Sequence, residues 1–493
     1  MSSTVYDLLA GTAADRPDAP FLVFAGDDGT GTVSYAEQVR RADETAGLLA
    51  ALGVGPGARV HLMTPNRPEF LDVWFACARL GAVVVPVNPL STADEVAHQL
   101  TDSRAVLSVV DDTLRATVAA AAGERTVLGL EELVARRGGT PPPPVVADAE
   151  LAAIMFTSGT TSAPKGVQVT HANYRRVGEL VADHLRVTAD DRWLITLPLF
   201  HGNAQYYCLA SALVAGGSVA VAARFSATGW PAQARDLRPT LASLFAAPIR
   251  MVLARSTPSP SDADNALRLV LFAQNLAPAQ AQEFETRFGA PLIQLYGMTE
   301  TVVPPFMNPL DDRRRWDSIG LPLPGIEVRV VGEEGEPGEL QVRGRPGIDV
   351  TSGYDGRPEA TAALFDDGWL RTGDQVRLDD IGRAFFVDRA KDMMKRAGEN
   401  VAASEVEQVL AAHPAVLEAA VHGVPDPVYD EAIVAHVVLA PGAHAEPDEL
   451  IAWCAERLSK FKVPETVVLR EELPRSTIGK ILKNALRDEV LAR

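Results

Sequence analysis

The chain has 493 residues, too many for one hydrophobic core, so two or more domains are expected. Its content of 47% hydrophobic and 22% charged residues is that of an ordinary globular protein. A formal charge of −18 excludes nucleic acid or an anionic membrane as the main partner, although a local cationic site can still hold a phosphate.

Residues 1–10 carry neither the basic start nor the long apolar run of a signal peptide, so a cytoplasmic protein is expected. Residues 60–64 and 82–87 read as short strands, and residues 68–80 have helical periodicity. That alternation predicts a layered α/β domain. Residues 136–144, R-R-G-G-T-P-P-P-P, forbid a helix and predict an extended surface connection within the domain. The apolar run 151–156 then predicts a buried strand leading into residues 157–167, T-S-G-T-T-S-A-P-K-G-V. Hydroxyls, glycine backbone and one ammonium in that density suit a polyphosphate cradle. It is not the G-x-x-x-x-G-K-[ST] loop, because Lys165 is followed by Gly166 and Val167.

Residues 209–223 form the longest mostly apolar stretch, short for a membrane span and broken by Gly216 and Gly217, so no membrane partner is expected. From 318 to 347, β runs at 327–331 and 339–342 alternate with Gly and Pro, which predicts a small β subdomain. Beyond about residue 391, helices at 404–412 and 448–458 and strands at 416–422 and 433–439 predict a small α+β domain, the first helix capped at its start. Cys77, Cys208 and Cys454 lack the spacing of a zinc site or disulfide framework and are expected to be buried thiols.

Six further motifs follow the 157–167 loop. They are L-P-L-F-H (197–201), Q-L-Y-G-M-T-E (294–300), G-W-L-R-T-G-D (368–374), V-D-R-A-K-D (387–392), K-R-A-G-E-N-V (395–401) and P-R-S-T-I-G-K (474–480). In this order the chain resembles, over essentially its whole length, the adenylate-forming superfamily of acyl-CoA synthetases, peptide-synthetase adenylation domains and firefly-type luciferases. F-A-Q-N-L (272–276), R-R-R-W-D-S-I-G (313–320) and G-V-P-D-P-V-Y-D-E-A-I (423–433) look most like the carnitine/crotonobetaine-type CoA ligases.

The resemblance implies an α/β fold: a large layered N-terminal domain with a small β subdomain over residues 1–390, and a mobile α+β C-terminal lid over residues 391–493. It implies an ATP-dependent, AMP-forming acid–CoA ligase for a small or medium polar carboxylic acid, using ATP, Mg2+ and CoA. Alternatives are a stand-alone adenylating enzyme loading the phosphopantetheine of a separate carrier protein, and a natural-product ligase with an unusual acid or nucleophile, such as nitrite in diazotisation. Many relatives are dimers, so a homodimer is one option.

Carried onto this sequence, the resemblance makes Lys480 the cation bridging substrate carboxylate and α-phosphate. Thr299 donates to that phosphate, and Glu300 is the magnesium ligand, a hard oxygen donor for a hard cation. Tyr296 stacks on adenine, while Asp374 and Arg389 hold the ribose. Thr157, Ser158, Gly159, Thr160, Thr161 and Lys165 grip the β- and γ-phosphates. Lys391 is the hinge, and Gly398 lets a pantetheine arm pass. His201 fits an aromatic gate, against a competing reading as a packed core histidine. Asn203, Gln205, Gln274 and Asn275 are pocket liners or, equally, satisfied structural amides. Lys480→Ala is expected to slow adenylation by roughly 10²–10³, the scale of one lost preorganised electrostatic contact. Pyrophosphate exchange reads that loss, while thiolation of pre-formed acyl-adenylate should suffer far less; equal loss in both half-reactions would contradict the assignment.

Overall fold

The computed structural model describes residues 4–27, 29–143, 150–157, 164–333, 336–389, 392–396, 399–426, 430–476 and 481–492, with Arg389, Glu399 and Asn400 described by backbone alone. Short Val/Leu-rich strands alternating with helices build two large sheets. The six-stranded sheet orders Thr126–Gly129, Leu107–Val110, Arg59–Met63, Val83–Val87, Leu151–Phe156 and Gly166–Thr170. All its pairs are parallel except the last, which is a hairpin. The nine-stranded sheet runs from Leu321–Pro322 and Phe306–Met307 through Leu292–Tyr296, Leu269–Ala273, Leu241–Phe245, Arg192–Ile195 and Ser218–Ala222 to Pro20–Gly26 and Gly29–Ser34.

Both faces of these sheets are covered, which is why their strands read as unbroken apolar runs. In Val83–Val87, Val83, Val85 and Val87 join a core with the helices Ala93–Ser103 and Arg115–Ala122, while Val84 points the other way. In Leu269–Ala273, Val270 and Phe272 pack with the helices Trp230–Asp236, Ala246–Arg255 and Pro278–Phe288, and Leu269 and Leu271 point inward. Between the sheets lie the helices Val5–Asp15, Tyr35–Ala51, Pro68–Leu80, His171–Leu185 and Ala210–Ala215. The layers are therefore helix, sheet, helix, sheet, helix. Trp74, fully buried, meets Phe75 and Tyr174 edge-on in the middle layer.

The apolar stretch 209–223 closes a π-helix, Asn203–Leu209, then forms the helix Ala210–Ala215 and the strand Ser218–Ala222. No helix among the described residues is long and apolar enough to cross a membrane. All three cysteines are buried free thiols.

The β subdomain is larger than residues 318–347. Glu327–Val331 and Gly338–Arg343 continue onto Trp369–Leu378, Phe365–Asp366 and Ala384–Arg389 in one antiparallel sheet. Trp369–Leu378 contains Arg, Thr, Gly, Asp and Gln, so it lacks the apolar texture that marks a strand in the sequence.

The small C-terminal domain has a sheet of Glu399–Ala402, Met393–Arg396, Asp430–Leu439, Val416–Asp426 and Thr466–Arg470, packed on the helices Ala403–Ala411 and Pro447–Ala455. The first of these helices has no cap of its own: Ala402 occupies the N-cap without a side-chain bond. Asp388, at the end of the β subdomain, accepts the Ser404 N–H at 3.0 Å, and the Ser404 hydroxyl bonds the Val387 carbonyl. A carboxylate from the neighbouring sheet thus serves the positive end of that helix.

Gly178 lets two inner helices touch. A Cβ there would lie 2.5 Å from the Ala210 carbonyl oxygen and 2.9 Å from Val214 Cγ2. Gly178→Val is expected to lower stability by about 1–3 kcal/mol, the range for overpacking a core. The urea midpoint checks this, and an unchanged midpoint would contradict it.

Candidate active site

Three adjacent parallel strands, Leu241–Phe245, Leu269–Ala273 and Leu292–Tyr296, end on one edge of the nine-stranded sheet. The carboxyl edge of a parallel sheet is where ligands of open α/β folds bind. From it emerge the helix carrying Arg250, the F-A-Q-N-L segment and the Y-G-M-T-E turn.

Tyr296 is buried, and its hydroxyl donates to Asp374 Oδ2 at 2.6 Å. Asp374, also buried, lies directly opposite Arg389 in the pairing of Trp369–Leu378 with Ala384–Arg389. Two residues fifteen positions apart are thus cross-strand neighbours, and the first is tied to the Y-G-M-T-E turn.

Glu300 is only 6% exposed, and its Oε1 accepts the Tyr354 hydroxyl at 2.8 Å. Lys165 sits over the same ring, its ammonium 5.1 Å from the centroid. Burial, then the Glu300 carboxylate, raises the Tyr354 phenol well above its ordinary value, so it stays a donor at neutral pH. The segment bearing Tyr354 binds three parts of the site together. Thr351 N–H donates to the Glu300 carbonyl, Gln168 N–H to Gly353 and Asp355 N–H to Gly166. The buried Asp355 carboxylate accepts from Arg59 at 2.9 Å, Arg104 at 3.0 Å and Gln168 at 3.1 Å.

The hairpin Leu151–Phe156/Gly166–Thr170 carries the hydroxyl-rich loop at its tip, and Thr157 N–H closes it by donating to the Lys165 carbonyl at 3.1 Å. Ser158, Gly159, Thr160 and Thr161 lie outside the described residues, as do Lys391, Gly398 and Lys480. Thr299 is half-buried beside Glu300.

His201 is half-buried, edge-on to Phe245 at 5.9 Å and to Phe200 at 6.5 Å. Its Nδ1 accepts the Asn203 N–H at 3.2 Å, which assigns the neutral ring's proton to Nε2. Asn203 is buried and accepts the Ser243 hydroxyl at 2.8 Å. Gln205 is fully buried, its oxygen taken by Tyr174 at 2.5 Å and its nitrogen donating to the Leu199 carbonyl at 2.8 Å. Both ends of that amide are engaged inside the protein. Gln274 exposes its side chain in a left-handed backbone position, φ 75°, and its carbonyl accepts from Gln294 at 3.0 Å. Asn275 is half-buried, and its carbonyl accepts Arg250 Nη1 at 3.2 Å.

Some positioning residues escaped the sequence reading. Asn66 donates to the carbonyls of Leu197 at 3.1 Å and Ala222 at 3.0 Å and accepts from Leu199 N–H at 2.7 Å, which fixes the L-P-L-F-H segment. Asn66, Tyr354 and Asp355 stand outside the seven motifs, and nothing local marks them.

Residues 9–355 fit the family model described as AMP-binding enzyme, and residues 405–480 fit the AMP-binding enzyme C-terminal domain. The chain belongs to the AMP-binding enzyme family. It is 37% identical to a crotonobetaine/carnitine–CoA ligase of Citrobacter koseri, over 94% of this chain and 95% of the relative. Among solved structures, ATP-bound MatB from Rhodopseudomonas palustris superposes with a TM-score of 0.89 at 30% identity, covering 99% of each chain. Apo MatB gives 0.76 at 29% identity, with the same coverage. The o-succinylbenzoate CoA synthetase MenE of Bacillus subtilis, in complex with its acyl-adenylate OSB-AMP, gives 0.87 at 30% identity over 99% of each chain.

Proposed function

We propose that this family member is an ATP-dependent, AMP-forming acid–CoA ligase. The observation that carries the reading is the meeting of Lys165 and Glu300 at Tyr354, beside the Tyr296–Asp374 pair, on the carboxyl edge of the sheet. An ammonium and a buried carboxylate on one phenol suit a polyphosphate that arrives with a divalent cation. Among the described residues no three His, Cys, Asp or Glu side chains cluster to hold a metal by themselves. Glu300 is a hard donor that fits magnesium, the remaining oxygens coming from phosphate and water. Magnesium, when bound, supplies the neutralisation between the nucleotide and this carboxylate.

The chain's own residues divide the remaining work. Thr157, Ser158, Gly159, Thr160, Thr161 and Lys165 hold the β- and γ-phosphates. Tyr296 stacks on adenine, Asp374 and Arg389 hold the ribose, and Thr299 donates to the α-phosphate. Lys480 bridges the acid's carboxylate and the α-phosphate, where two anions have to approach. An oxygen of the acid bonds to the α-phosphorus as the bond to the bridging oxygen breaks, and pyrophosphate leaves with that electron pair. The CoA sulfur then attacks the acyl carbon, the thiol proton is released, and AMP leaves with the bonding pair.

Residues 1–390 and 391–493 act as the two domains. Rotation about Lys391 withdraws Lys480 and brings the Gly398 segment to the pantetheine arm. The TM-scores support an arrangement nearer the nucleotide-bound state, 0.89 with ATP-bound MatB against 0.76 with apo MatB. The names of the crotonobetaine/carnitine–CoA ligase and of MenE support CoA over a carrier protein as acceptor. The acid is a small or medium polar one, the betaines named in the relatives stand first among candidates, and the enzyme works in the cytoplasm.

Acid-dependent exchange of pyrophosphate into ATP tests this, with betaines, short acids, aryl acids, fatty acids and nitrite, and with CoA added to each hit. An organic acid that supports exchange and then yields its CoA thioester is the expected result. Exchange without a thioester would contradict CoA as acceptor, and exchange with no acid would contradict adenylation.

A further inference from the structure

Lys480 lies outside the described residues, but the chain on both sides of it is held. Leu482 N–H donates to the Pro474 carbonyl at 2.8 Å, and Arg475 bridges antiparallel to Ile481, so the two flanks meet. On the first flank, Arg475 pairs with Glu418 of the strand Val416–Asp426, both side chains largely buried. On the second, Lys483 opens the helix Lys483–Leu491, and its ammonium stands 2.7 Å from Glu407 Oε1. Leu486 of that helix is fully buried with Ala420, Val438 and Leu473.

The Glu407 end of this pair reaches beyond the small domain. Glu407 stands one turn after Ser404 on the helix Ala403–Ala411, about 4.5 Å further along its axis. It also accepts the Val421 N–H at 2.8 Å. Ser404 is the residue whose N–H and hydroxyl are taken by Asp388 and Val387 of the β subdomain. One short helix therefore grips the large domain at its first turn and the Lys483 ammonium at the next. The pair is mostly withdrawn from water, Lys483 20% and Glu407 22% exposed, which separates it from the loose ion pairs of a surface. Burial works against the Lys483 charge, but Glu407, with the fields of Asp388 and Asp392, holds the ammonium above its ordinary value.

We infer that Glu407 and Lys483 are positioning residues of the adenylation step. They tie the segment that carries Lys480 to a helix fixed on the large domain by Asp388, and so set where that lysine is presented to the nucleotide. The inference rests on the acid–CoA ligase reading and on Lys480 as its bridging cation. Arg475 and Glu418 hold the first flank to the small domain's own sheet, whereas Glu407 and Lys483 bring in the register with the large domain. Thioester formation does not use Lys480, so it does not depend on the pair.

The test is a double-mutant cycle with Lys480, read by acid-dependent pyrophosphate exchange on the full-length chain. The variant Glu407→Gln/Lys483→Met removes both charges together and leaves no unpaired ion in the interior. It is expected to lower kcat of exchange by about tenfold, the scale of a slightly misplaced reacting group. KM for ATP and for the acid should stay constant, because the pair touches neither substrate. Lys483→Arg should recover most of the rate. In a Lys480→Ala background the same two changes should cost about twofold or less, since no ammonium is left to place. Thiolation of pre-formed acyl-adenylate should keep its wild-type rate. Ser404→Ala, at the other end of the linkage, should lower exchange by about fivefold in the same pattern, as for one lost hydrogen bond. It takes the place of Glu407→Gln/Lys483→Met in the cycle if that variant does not fold. An unchanged exchange rate, or an equal loss with and without Lys480, overturns the positioning role and leaves the ligase reading intact. A wild type that shows no exchange with any acid removes the reading, and the inference with it.

Discussion

One hydroxyl, that of Tyr354, stands 2.8 Å from a carboxylate that is almost wholly withdrawn from water. Burying Glu300 is unfavourable without a donor, and the phenol supplies one while its ring faces the Lys165 ammonium. The carboxylate is thereby held in place where, on the proposed reading, a polyanion arrives. A negative group kept in a phosphate site makes sense only with a cation between them, and that requirement shapes the rest of the proposal.

The fold meets the constraint by topology. Glu300 leaves the carboxyl end of one strand of the nine-stranded sheet, and Lys165 lies at the tip of a hairpin in the six-stranded sheet. The two sheets are separated by a layer of helices, so a third element has to join their edges. The segment from Thr351 to Asp355 does this with backbone hydrogen bonds to both sides and with the Asp355 carboxylate under Arg59 and Arg104. Asn66 does the same for the His201 segment, and Asp388 links the β subdomain to the first helix of the small domain.

The sequence made the reacting motifs legible because their chemistry restricts residue type over a few contiguous positions. Glycine and hydroxyls in the phosphate loop, and Tyr296, Thr299 and Glu300 in one turn, are readable without their partners. Tyr354, Asp355 and Asn66 are not, because each acts on groups more than fifty positions away and no local pattern reports that distance. The helix beginning near residue 404 looks self-capped from its serine, yet the cap comes from Asp388 in another sheet. The extent of the β subdomain was missed for a related reason, since Trp369–Leu378 carries site residues in place of the apolar alternation that identifies strands. Valine runs predicted buried strands correctly, but which strands neighbour one another follows from packing across both sheet faces.

The measurement that tests the central claim most directly is ATP binding by calorimetry, in magnesium and in EDTA, for the wild type and Glu300→Gln. With the negative charge fixed at Glu300, wild-type affinity should fall sharply without magnesium, and Glu300→Gln should narrow that gap by about tenfold as the repulsion is removed. Equal wild-type affinity with and without magnesium would contradict the account.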